Sequence, residues 1–150
     1  MRQIVKLSLG LFVFALLSAC SGMTGQRAEE KSQASLYDRL GGVTAIKVVV
    51  DDFVGFVAGD NRINRYFAKT DVPKLKQHLV DQICQGTGGP CKYQGRDMGA
   101  THKGMNISNA DFGALVEDLV KALDKNKVPA REKNELLGIL GPMKPAIVGQ

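Results

Sequence analysis

Phe112, Leu115, Val116, Leu119, Val120 and Leu123 recur at the alternating three- and four-residue spacing of one helix face. Ser108, with Asp111 three residues later, supplies a capping box ahead of that run. An amphipathic helix of this length cannot bury its apolar stripe alone, so the rest of the chain must offer facing surfaces of similar period. Ile46, Val49, Val50, Phe53 and Val57 repeat the pattern, although Val48-Val49-Val50 would by propensity alone permit a strand. Ser35 and Asp38 open a short helix that Gly41-Gly42 stops, and Asp71-Val72-Pro73 opens another that runs to about Gln85. Pro129 starts a last helix through Leu136, Leu137 and Leu140. Gly86-Thr87-Gly88-Gly89-Pro90 is a loop, and no strand alternation or internal repeat occurs. The expected class is all-α, with short helices and long loops.

The chain has 150 residues, enough for one domain with a real core, and its 44% hydrophobic and 23% charged content excludes a disordered class. The first residues stand apart from that domain. Arg2 and Lys6 precede an apolar run from Leu7 to Leu17, shorter than the roughly 18 residues that span a bilayer, which reads as an export signal. Leu17-Ser18-Ala19-Cys20 resembles the bacterial lipobox, so residues 1–19 are expected to be removed and Cys20 to carry lipid. Residues 20–35 then form a polar tether and residues 36–150 the domain. Ser21, in place of Asp, resembles outer-membrane sorting, which gives a cell-envelope protein anchored on the periplasmic side. The net charge of +5 falls by two once Arg2 and Lys6 are removed, too mild for nucleic-acid binding.

The chemistry is scarce enough to count. Two histidines and three cysteines are present, and no nucleotide loop or nucleophile elbow. On a helix advancing about 100° per residue, Leu75 at zero places His78 at about −60°, Leu79 at about +40° and Gln82 at about −20°. All four share one face. His78 therefore lies against a partner or at the edge of a pocket, and metal is one way to satisfy a buried imidazole. His102, in a short segment between loops, reads by itself as an exposed histidine.

From Leu36 to about Val148 the chain resembles the group I truncated haemoglobins. The motifs come in family order: Leu36-Tyr37-Asp38-Arg39-Leu40-Gly41-Gly42, Val48-Val49-Val50-Asp51-Asp52-Phe53, Arg65-Tyr66-Phe67, the helix from Lys74 to Cys84, Gly88-Gly89-Pro90 with Tyr93 and Gly95, and Met98 followed by His102. The resemblance implies a two-over-two helical sandwich around haem b, with His102 as proximal iron ligand and Phe67 on the haem face. It places Phe53, Val54, Leu75, Leu79, Gln82, Ile83, Phe112, Leu115 and Leu119 around the same pocket. Imidazole and apolar side chains are what haem iron and its macrocycle need. No Cys-x-x-Cys-His occurs, so attachment is expected to be non-covalent.

The departures bear on mechanism. Many members carry a tyrosine where this chain has Val54 and a glutamine on the distal helix where it has Leu79, groups that hydrogen-bond bound dioxygen. Leu75 occupies the distal-gate position, and His78 matches the position that supplies a second axial ligand in bis-histidyl members. Two functions follow as expectations. One is reversible binding of dioxygen, nitric oxide or another diatomic, extending to nitric oxide detoxification with an unidentified reductase. The other is a redox, electron-transfer or peroxide-handling role of bis-histidyl iron. A third arrangement, structural zinc held by His78, Cys84, Cys91 and His102, uses legitimate zinc ligands. Cys84 and Cys91, seven positions apart in an exported domain, are a candidate disulfide; the alternative is a buried Cys84 and a free Cys91 thiol.

Overall fold

A computed structural model of the protein describes residues 34–150. The expected signal peptide, Cys20 and residues 21–33 lie outside the described residues. All regular structure within them is helical: α1 (Leu36–Arg39), α2 (Gly42–Gly59), a 3-10 turn (Asn64–Phe67), α3 (Val72–Gly86), α4 (Met98–His102), α5 (Asn109–Lys125), α6 (Ala130–Leu140) and a final 3-10 segment (Gly141–Ala146). Among the described residues no helix is long and apolar enough to cross a membrane.

Side-chain caps set where these helices begin. The Asp71 carboxylate accepts from the Lys74 amide at 3.1 Å, and Asp97 accepts from Ala100 at 2.8 Å. Each satisfies an amide that has no partner within its helix. At α5 the exchange is reciprocal: the Asp111 amide donates to Ser108 Oγ at 3.1 Å, and the Ser108 amide donates to Asp111 Oδ2 at 2.9 Å.

Helix α2 is central, packing against both α3 and α5. Its residues Ile46, Val49, Val50, Phe53 and Val57 are buried in one cluster with Val80, Ile83 and Cys84 of α3 and Ala114, Leu119, Ala122 and Leu123 of α5. The valine triplet shows why period outweighs propensity here. In a strand Val48 and Val50 would share a face; in α2 Val49 and Val50 are buried while Val48 is 49% exposed. Helix α1 is pinned to α6 by Arg39, which donates to Glu132 at 3.0 Å and to Glu135, with its own side chain only 8% exposed. A guanidinium withdrawn from water to this degree is tolerable because two carboxylates face it.

The α5 cap also fixes a titration. Hydrogen bonds from the Ser108 hydroxyl and amide, then from Tyr66 and Arg65, lower the Asp111 pKa from 3.8 to about 2, against the opposing effect of burial. A carboxyl with a depressed folded-state pKa adds stability above its unfolded value and loses it as pH falls from about 4 to about 2. Ser108→Ala should raise the Asp111 midpoint toward the ordinary carboxylate range in an NMR titration, and lower stability at neutral pH by about 0.5–2 kcal/mol through loss of the cap. An unchanged midpoint would remove the hydroxyl from that role.

Candidate functional site

Helix α3 buries one face against the core through Val80, Ile83 and Cys84, and turns the adjoining face elsewhere. Leu75, His78, Leu79 and Gln82 on that second face are half-buried and line a cavity of about 1050 Å³. Both leucines border the cavity, and Leu79 also packs against the core cluster. Opposite walls come from α2, the Asn64–Phe67 turn, α4, α5 and the C-terminal segment. Phe53, Val54, Phe67, Phe112, Leu115 and Leu119 lie on these walls, as does His102, while Ile83 lines the cavity from α3 itself. The volume is at the upper end of the roughly 300–1,000 Å³ typical of small-molecule and cofactor pockets.

His102 closes α4, and its Nδ1 lies 2.8 Å from the Met98 carbonyl oxygen one turn earlier. A carbonyl can only accept, so the ring proton of this tautomer sits on Nδ1 and the Nε2 lone pair is left available. His78 is held differently. Its Nδ1 is buried with no hydrogen-bond partner, and its ring meets that of Tyr93 edge-on, with centroids 5.8 Å apart and planes at 67°.

The polar groups around the two rings are few. The Gln82 amide donates to the Met143 sulfur at 3.2 Å and approaches the Met98 sulfur at 3.9 Å. Val54 and Leu79 present no side-chain donor. Tyr93 is tied by its own amide to Gln85 Oε1 at 2.7 Å and by its hydroxyl to the Arg96 carbonyl at 2.9 Å. Burial first, then Asp97, raise the phenol pKa against the opposing Arg96, so the hydroxyl remains a donor. Lys74 and Arg96 bring positive charge to the cavity wall and form no ion pair among the described residues.

Sequence reasoning left Tyr93, Met98, Met143 and Ile147 out of the pocket. Met98 had a signal, since it precedes His102 by one helical turn. Met143 and Ile147 had none, because only the irregular chain after α6 brings them to this wall.

Cys84 and Cys91 are joined as a disulfide with a Cα–Cα distance of 5.7 Å. The chain between them crosses close to α3: a Cβ at Gly89 would stand 2.5 Å from the Tyr37 ring and 2.7 Å from Cys84 Sγ. Only glycine fits that crossing. The four-ligand zinc arrangement is not formed. Its two cysteines are bonded to each other, and among the described residues no three His, Cys, Asp or Glu side chains gather as a metal site.

Residues 35–148 match the family profile of the bacterial-like globins. The chain belongs to that family. This globin is 35% identical to a group 1 truncated haemoglobin, GlbN, of Mycolicibacterium paratuberculosis, over 81% of this chain and 89% of the relative. It is 36% identical to the GlbN of a Nostoc species, over 78% of this chain and 99% of the relative. Among solved structures, the truncated haemoglobin of Tetrahymena pyriformis in its Fe(III) form superposes with a TM-score of 0.75 at 31% identity, covering 78% of this chain and all (100%) of that one. The 2/2 haemoglobin of a Synechococcus species, described with covalently attached haem in the cyanomet state, gives 0.73 at 33% identity, with coverage of 78% and 100%. The all-helical architecture of this globin is that of the 2/2 haemoglobins.

One bond at the site is open to direct chemical assay. Alkylation of the unreduced, unfolded globin should label neither Cys84 nor Cys91, and prior reduction should expose both. Two labelled thiols without reduction would contradict the pairing.

Proposed function

We propose that this globin binds haem b without covalent attachment, with His102 as the proximal iron ligand and a diatomic gas as the exchangeable one. The observation that carries this reading is the pair of histidines. The chain has only two, both line one cavity, and the Met98 carbonyl leaves His102 with its Nε2 lone pair available. The orphaned Nδ1 of His78 and the apolar walls fit the same group. When bound, haem would supply an iron centre whose reactivity is set by its ligands and surroundings.

The residues then divide the work. Phe67, Phe112 and Leu115 supply apolar wall for the macrocycle, and Lys74 and Arg96 are the cations that would meet its carboxylates. His102 would hold the iron, its ring oriented by the Met98 carbonyl. His78, on the same cavity, would be the second imidazole able to hold it and to compete with an external ligand. Neither histidine is spare for a covalent link to the macrocycle. Val54 and Leu79 offer bound dioxygen no hydrogen bond, so oxygen held at this site is expected to leave quickly.

A redox or electron-transfer role, with peroxide handling within it, is the second reading, favoured by His78. Two imidazoles keep the same ligands in both oxidation states. Detoxification of nitric oxide with dioxygen is the enzymatic extension of the first reading and requires electrons from a reductase. The lipobox-like sequence at Cys20 supports a membrane-tethered globin in the cell envelope, most simply at the periplasmic face of the outer membrane.

His102→Ala should weaken haem retention by more than the about 10–100-fold that losing an outer-shell partner costs, measured by transfer of haem to an acceptor protein. His78→Ala should retain haem and speed carbon monoxide binding by removing the internal competitor. Normal haem content and an unchanged spectrum in His102→Ala would overturn the proximal assignment; equal carbon monoxide rates in wild type and His78→Ala would overturn the distal one.

A further inference from the structure

His78 is the less constrained of the two histidines, since its buried Nδ1 has no hydrogen-bond partner among the described residues. Its one ring neighbour of defined geometry is Tyr93, at 5.8 Å and 67°. Offset edge-to-face contact at this distance is the arrangement aromatic quadrupoles prefer, and it restricts the rotation of both rings.

Tyr93 is unusually well held for a residue between helices. Gln85 accepts from its amide, and Gln85 lies two turns beyond His78 on α3, near the same side. The Cys84–Cys91 bond fastens the chain two residues earlier to the adjoining position of that helix. The Arg96 carbonyl takes its hydroxyl, which turns the polar end of the ring to the backbone and not to the imidazole. Gly95 completes the seat. A Cβ there would stand 2.2–2.7 Å from the ring and hydroxyl of Tyr93, so no side chain is compatible with the ring in this place.

We infer that Tyr93 is the positioning residue for His78: the last turn of α3, the disulfide and Gly95 hold its ring so that the imidazole stays on the cavity wall. The inference builds on His78 as an iron ligand but is separable from it, because the ring contact exists in the protein chain itself. The aromatic ring does the positioning. The hydroxyl serves only to seat the ring.

The test uses the haem-loaded globin and three variants, Tyr93→Phe, Tyr93→Ala and Gly95→Ala. In the ferrous carbon monoxide form, which is diamagnetic whatever holds the resting iron, NMR reads the ring-current shift of the His78 ring protons. That shift should persist in Tyr93→Phe and be lost in Tyr93→Ala and Gly95→Ala. Carbon monoxide association should accelerate about three- to tenfold in the latter two and stay near wild type in Tyr93→Phe, because the apparent rate follows the fraction of sites left open. Should Tyr93→Ala fail to fold, Tyr93→Leu keeps apolar bulk without an aromatic ring and carries the same expectation. Unchanged His78 shifts in Tyr93→Ala or Tyr93→Leu would overturn the positioning role, as would a Tyr93→Phe protein that behaves like Tyr93→Ala. A high-spin wild-type iron would instead overturn ligation by His78, and the shifts alone would then decide the role of Tyr93.

Discussion

Helix α3 has to bury one face against the core and turn the next one to a cavity. Val80, Ile83 and Cys84 lock it to α2, while Leu75, His78, Leu79 and Gln82, a fraction of a turn away, border open volume. The cavity of about 1050 Å³ is framed by the α2–α5 contact, the Arg39 clamp on α6 and the disulfide that closes the loop after α3. Its apolar walls offer dispersion contacts that a flat apolar cofactor would use.

The two histidines meet that cavity under different constraints. His102 sits on a five-residue helix whose first turn is capped by Asp97 and whose Met98 carbonyl sets the imidazole tautomer. One local element thus determines both its place and its tautomer. His78 belongs to a long helix and has no such partner, so its ring depends on Tyr93, a residue from the following loop. The difference suits a fixed ligand on one side and an exchangeable one on the other.

Much of this was legible in the sequence because helix period is a strong signal. The runs through Ile46–Val57 and Phe112–Leu123 identify α2 and α5, and Asp71 and Ser108 mark starts that the side-chain caps realise. The shared face of Leu75, His78, Leu79 and Gln82 was also readable, but its place on a pocket wall came from the family resemblance, because apolar period alone cannot tell packed wall from pocket wall. Met143 and Ile147 were invisible, since the 3-10 segment after Leu140 has no period to read. Tyr93 was visible only as a motif residue. Its contact with His78 arises from a chain reversal fixed by Gln85, Cys91 and Gly95 together, which no spacing rule encodes.

The proposal with most at stake is that His78 and His102, which line one cavity, would both hold the same haem iron. Electron paramagnetic resonance of the haem-loaded ferric globin, prepared with isotope-labelled histidine, tests it most directly. The account predicts a low-spin signal with hyperfine coupling to two labelled imidazole nitrogens. A high-spin signal, or coupling to a single imidazole, would contradict it.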